Sequence, residues 1–164
     1  MLNGEEVFSL SSRFEDYSSF FLRLALGSSF LSAVGDRFGF WGSYGQPNVA
    51  WGDFSRFVAY TAKLNWFLPG ATIPPLAWVT TVAETALGIA LVLGIFTRVS
   101  AILSSLLLLL FAIVMTLTLG IKLPLNFSVF TAAAAAFQLA YCKAYFLSVD
   151  FLWQRARDIG PAQR

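Results

Sequence analysis

Two charged residues stand where a lipid bilayer makes charge expensive. Glu84 lies near the middle of the apolar run from Pro74 to Ile95, and Arg23 lies inside another, Tyr17 to Val34. A carboxylate at that depth costs about 2.5–3.5 kcal/mol on insertion scales, so it demands an internal partner, a proton or a task. A contact between Arg23 and Glu84 would offset both desolvation costs, and an arginine side chain spans the several ångströms of depth expected between them. Such a pair either locks helix register or lines a cavity for a polar headgroup, a quinone carbonyl or a small anion. A second set, Asp36, Arg37, Tyr44, Trp51, Trp66, Lys122 and Asn126, is placed by the expected topology at one outer mouth. Each of these also has a plainer reading: Asp36 and Arg37 as surface groups orienting a connection, the aromatic residues and Tyr60 as an interfacial belt, Lys122 as a snorkelling cation, Asn126 as a helix cap.

The elements that must position these residues follow from composition. Of the 164 residues 57% are hydrophobic, 16% aromatic and 12% charged, and the mean hydropathy is +0.69, beyond what a soluble domain hides in its interior. The chain is expected to be one all-α domain over 1–164, an integral membrane four-helix bundle in contact with the lipid bilayer, with room for about four spans of about 20 residues. Eleven basic and nine acidic residues without a basic block argue against nucleic acid as a partner. The single Cys142 excludes a CxxC thiol shuttle within the chain, and the absence of histidine removes the usual haem, zinc and copper ligands, so no metal site is expected.

The spans are expected at about 17–34, 74–95, 99–119 and 126–147. Gly27, Ser28 and Ser29 give the first a small-residue face, and Pro74-Pro75 opens the second, where missing amide donors cost little. The break Phe96-Thr97-Arg98 makes the second and third spans antiparallel neighbours, with Thr97 as cap. In the fourth, the alanine block 132–136 promises close packing and Gln138 an interhelical hydrogen bond. Within the outer connection 35–73, Phe54, Phe57, Val58, Thr61 and Leu64 recur at helical spacing opposite Arg56 and Lys63, with Asp53 as cap. This is the pattern of an interfacial amphipathic helix ending at Trp66 and Pro69.

The first sixteen residues lack the basic-then-apolar pattern of a signal peptide, so the first span is expected to be retained. Arg13, Arg98, Lys143, Arg155, Arg157 and Arg164 fall on one side of four spans, against Arg37, Arg56, Lys63 and Lys122 on the other. That bias places both termini in the cytoplasm.

The string ETALGIALVLGIFTRVSAILSSLLLLLF, Glu84 to Phe111, resembles the second helix hairpin of the DoxX family of small membrane proteins. RLALGSSFLSAVG, Arg23 to Gly35, resembles that family's first helix, and VAWGDFSRFVAYTAKLNWFLP and GIKLPLNFSVF resemble one of its branches. The resemblance covers about residues 20–140 and rests on Arg23, Glu84, Gly88, Gly94, Thr97 and Arg98. It implies a bundle in the bacterial cytoplasmic membrane and a redox-linked subunit, associated with quinone or sulfur metabolism, working with a partner or as a homo-oligomer. No intrinsic cofactor is expected, and a bound quinone is the one ligand of that kind the resemblance admits. Two other functions compete: a non-catalytic scaffold or assembly factor, favoured by the missing cysteine pair and histidines, and a small-anion transporter, which four helices would build only by oligomerising.

Overall fold

The computed structural model describes residues 4–142 and 145–159, with side chains over 14–142 and 145–157. Lys143 and Arg164, two of the counted cations, lie outside the described residues, as does the side chain of Arg13. Seven helices and no strand occur among the described residues: α1 (Gly4–Arg37), α2 (Phe54–Leu64), α3 (Ile73–Leu93), α4 (Thr97–Leu119), α5 (Lys122–Asn126), α6 (Val129–Ala140) and α7 (Val149–Ile159). Three stretches are long and apolar enough to cross a membrane: Phe14–Arg37, Gly70–Leu93 and Thr97–Leu119. The expected fourth span is not one such helix. Its apolar core forms the 12-residue α6, about 18 Å long at 1.5 Å per residue against a hydrocarbon thickness of about 30 Å. The four-span expectation is corrected to three long helices and one short one. The cause is local: Pro124 sits in the separate helix α5, and Ser128 adopts a left-handed conformation (φ 55°) that breaks the path between α5 and α6.

The first long helix does not stop at Gly35. It runs through Arg37, because the amides of Phe38 and Phe40 close on the Gly35 carbonyl only after the last turn is complete. α1 packs antiparallel on α3 through a close glycine contact. A Cβ on Gly27 would come within 2.8 Å of the Gly88 carbonyl oxygen, so only glycine allows the two backbones this approach. α3 opens with proline in its first turn, as expected, and ends at Gly94, a left-handed C-cap at φ 69°.

α4 packs on α6 through two small-residue faces. Ala101, Ser104 and Ala112 on α4 are buried, as are Ala133 and Ala136 on α6, and Ser105 Oγ donates to the Ala133 carbonyl at 2.9 Å. Thus the alanine block meets another helix, as its composition promised. Leu26, Phe30, Leu91, Ala101, Ala136, Leu139 and Ala140 form the core where α1, α3, α4 and α6 converge, with Cys142 partly buried against it. Gln138 does not bridge helices: it is exposed on the far side of α6.

The amphipathic helix of the connection is present as read. Asp53 Oδ1 accepts the Arg56 amide at 3.0 Å, Phe57 and Thr61 are buried, and Arg56 and Lys63 face outward. Its C-terminal carbonyl at Leu64 accepts from Thr118 Oγ1 on α4 at 2.8 Å, which seats α2 across the end of the bundle.

Candidate functional site: two buried arginines at opposite ends of the bundle

Glu84 has an arginine partner, and it is Arg37. Their Nη2–Oε2 distance is 2.5 Å, both side chains are 3% exposed, and Arg37 Nη1 donates to Thr81 Oγ1 at 2.9 Å. Thr81 and Glu84 lie one turn apart on α3, so the last residue of α1 clamps two successive positions of its neighbour. The guanidinium is closed off from above by the connection. Its carbon lies 3.7 Å from the Phe57 ring centroid on α2 and 5.5 Å from that of Trp51, and these two rings meet edge-on at 5.3 Å. Removing water in this way strengthens the ion pair and also makes each member dependent on the other.

Arg23 therefore does not meet Glu84, contrary to expectation. In the antiparallel α1–α3 register, Arg23 faces the last turn of α3, where its Nε donates to the Leu91 carbonyl at 3.1 Å. Glu84 is seven residues away on that helix, about 10 Å along the axis. The Arg23 guanidinium, 0% exposed, is taken up by two further carbonyls, Phe146 at 2.9 Å and Leu147 at 2.9 Å. A cation at a helix C-terminus, where orphan carbonyls carry partial negative charge, is satisfied without a carboxylate.

A third charged group at this end went unread in the sequence. Asp150, at the start of α7, accepts the Phe96 amide on Oδ1 at 2.9 Å and the Thr97 amide on Oδ2 at 2.7 Å, capping α4 from another part of the chain. The Asp150 amide in turn donates to the Gly94 carbonyl at 3.0 Å. Thr97 is not the cap: its hydroxyl is buried without a hydrogen-bond partner. The only signal was an acidic residue opening the amphipathic segment Val149–Ile159.

Of the residues expected at the mouth, the structure brings three together. Asp36, 6% exposed, and Arg37 are buried and not on the surface. Asp36 nonetheless orients the connection, its Oδ2 accepting the amides of Ala50 and Trp51 at 3.0 Å each. Tyr44 is exposed and lies beneath Arg56, 3.6 Å from its guanidinium carbon. Trp66 is 75% exposed and touches Phe67, as a belt residue would. Lys122 and Asn126 are exposed on α5, and Asn126 does not cap α6, whose N-terminal position is Ser128. No group of three or more potential metal ligands occurs among the described residues.

With this geometry established, a family model matches residues 15–126, described as methylamine utilisation protein MauE. The chain belongs to the MauE family. The match spans α1 through α5 and so contains Arg23, Arg37, Thr81 and Glu84, while Asp150 lies beyond it. It corrects the DoxX resemblance: apolar helices match one another easily, and the string Glu84 to Phe111 is mostly apolar. No curated protein and no solved structure matches this MauE-family chain.

Proposed function

We propose that this MauE-family protein is a non-catalytic accessory subunit of a membrane redox system, a scaffold that holds or helps assemble a partner. One observation carries the reading: four charged groups of the bundle, Arg23, Arg37, Glu84 and Asp150, are engaged by the bundle itself. Arg37 and Glu84 neutralise each other, Arg23 is bound by three carbonyls, and Asp150 caps two amides. With no histidine and one cysteine, the chain has little left with which to move electrons or protons by itself. The family name ties MauE proteins to methylamine utilisation. Converting a primary amine to a carbonyl and ammonia is a two-electron oxidation, which makes an accessory role there redox-linked. The exposed Arg98, Arg155 and Arg157 at one end support a cytoplasmic N-terminus in a bacterial inner membrane, with α2 outside.

Deletion and complementation in the native host, with growth on methylamine as readout, test this directly. A chain carrying Arg37→Met with Glu84→Leu is expected to complement, because an ion pair used only for structure tolerates apolar replacement. Native mass spectrometry of the gently extracted complex is expected to show a protein partner and no stoichiometric quinone. A folded double variant that fails to complement, or a quinone retained one per chain and lost from that variant, would turn the reading toward a redox subunit.

A further inference from the structure

Two short helices, α2 and α7, segregate apolar from charged residues, and they differ in what covers the apolar side. α2 buries Phe57 and sets the Phe54 ring 4.4 Å from that of Trp78 on α3. On α7, Val149, Leu152, Trp153 and Ala156 recur at i, i+3, i+4 and i+7 and form one stripe. All four are exposed, Leu152 by 65% and Trp153 by 59%. Among the described residues α7 makes no extensive contact with another helix.

The depth at which α7 starts is fixed. Asp150 accepts the Phe96 and Thr97 amides, and its own amide donates to the Gly94 carbonyl. The first turn of α7 is thereby tied to the turn between the stretches Gly70–Leu93 and Thr97–Leu119, and so short a turn between two spans lies at the bilayer surface. Phe96, Val99 and Leu147 are exposed beside this junction, so apolar surface continues from the hairpin onto α7. Two cations border the stripe. Arg155 follows Leu152 by three residues and Arg157 follows Trp153 by four, one on each edge, and the Arg157 guanidinium carbon lies 4.7 Å from the Trp153 ring centroid. Neither ion pair among the described residues includes them, and the Asp150 carboxylate is spent on the amides of α4. Arg98, next to the capped Thr97, is exposed at the same junction.

We infer that α7 lies in the headgroup region of the leaflet at this end of the bundle, its stripe in the acyl boundary and Arg155 and Arg157 on the phosphates of anionic phospholipids. A helix of 11 residues is about 16 Å long, and its tethered first turn leaves the whole stripe within reach of that leaflet. Water would leave Leu152 and Trp153 uncovered, whereas the interface covers them while the arginine stems follow the apolar surface and the guanidiniums turn back to the headgroups. A guanidinium fork matches phosphate geometry, and each arginine near an anionic surface favours the seated helix further. This surface is independent of the scaffold reading, which concerns the charges inside the bundle.

Depth-resolved quenching of the full chain, one copy per lipid nanodisc, tests the inference. In a Cys142→Ser background, or Cys142→Ala if the serine variant fails to fold, an NBD fluorophore is attached at Leu152→Cys on the stripe or at Gln154→Cys on the opposite side. The discs contain neutral phosphatidylcholine with anionic phosphatidylglycerol as the minor lipid, and a doxyl quencher near the headgroup is carried on one or the other at equal amount. The label at 152 is expected to be quenched about threefold more than the label at 154, and about twofold more by the anionic carrier than by the neutral one. Arg155→Gln with Arg157→Gln, both at exposed positions, should abolish the preference between carriers. Equal quenching at 152 and 154 would overturn the inference and leave the stripe to a protein partner. Equal quenching by the two carriers at 152, or a preference that survives the double arginine variant, would overturn it as well, since the arginines would then not select the headgroup.

Discussion

Arg37 and Arg23 sit on one helix, fourteen residues and about 21 Å apart, and are buried by opposite strategies. Arg37 has a carboxylate across the helix interface and aromatic rings above it. Arg23 has only backbone oxygens, drawn from the end of α3 and from the segment leading into α7. The first arrangement joins two side chains that can be exchanged together. The second joins a side chain to the course of the backbone, and no second substitution can compensate for its loss. Arg37 thus fixes register between two helices, whereas Arg23 fixes where the chain goes after α6.

The largest effect expected from this contrast is at Arg23. Arg23→Met leaves the Phe146 and Leu147 carbonyls without their donor at about 1–3 kcal/mol each, while the Leu91 carbonyl keeps the Gly94 amide, so unfolding in detergent should show a loss of about 2–6 kcal/mol. Arg23→Lys, with one compact ammonium for three spread acceptors, should recover only part of it. Glu84→Leu alone should cost about 3–5 kcal/mol by stranding Arg37, and adding Arg37→Met should restore stability to within about 1 kcal/mol. Additive losses for the two changes would break the comparison by showing that Glu84 depends on something besides Arg37.

How much of this was legible beforehand divides along the same line. That Glu84 needs a buried partner could be read from its apolar surroundings, and so could the amphipathic helix with its Asp53 cap and a tight hairpin between the second and third spans, although the break lies at Gly94–Phe96 and not at Phe96–Arg98. The choice between Arg23 and Arg37 could not, because it depends on the α1–α3 register and on α1 continuing past Gly35. Both are set by tertiary contacts, Gly27 against Gly88 above all. Arg23's true partners are carbonyls, which every residue carries and no sequence pattern marks. Asp150 is legible only as a charge near the end of the chain, since the amides it caps lie more than fifty residues earlier. The short α6 was hidden by composition: an apolar run shows that a segment avoids water, not that it is one unbroken helix.

Gly94 sharpens the contrast because it belongs wholly to the Arg23 end. It is left-handed, and a Cβ there would overlap the Ser148 backbone and lie 2.9 Å from the Arg23 guanidinium carbon. Gly94→Ala should cost about 2 kcal/mol or more from conformation and crowding together. The same change at Gly120, at φ 84° and ψ 155° in an extended region open almost only to glycine but with open space around it, should cost only the conformational part, about 1–3 kcal/mol. Equal losses in thermal unfolding would mean that the junction around Gly94 yields more easily than its packing implies. Asp150→Ala should follow at about 1 kcal/mol, the usual worth of a helix cap, with hydrogen exchange rising first at the Phe96 and Thr97 amides.

Asp53 performs at the exposed connection the task that Asp150 performs at the bundle end, and the smallest effect is expected there. The Ser55 hydroxyl and the Arg56 amide, both donating to the Asp53 carboxylate, hold its pKa below the usual carboxylate range. A carboxyl whose pKa is lower folded than unfolded contributes stability that is fully present above its unfolded value, near 4, and is lost as pH falls through the folded value. The α2 cap should therefore hold at pH 6 and open progressively below about pH 4. Amide exchange at Arg56, corrected for the intrinsic pH dependence, reports it. The exposed Arg56–Asp53 ion pair adds little, since water screens it. In Asp53→Asn the amide oxygen still accepts from Arg56 but no longer titrates, so protection at Arg56 should become insensitive to pH over the same interval. If protection in that variant still fell with acid, the titrating group would lie elsewhere, and the seat of α2 over Arg37 would depend on a charge other than its own cap.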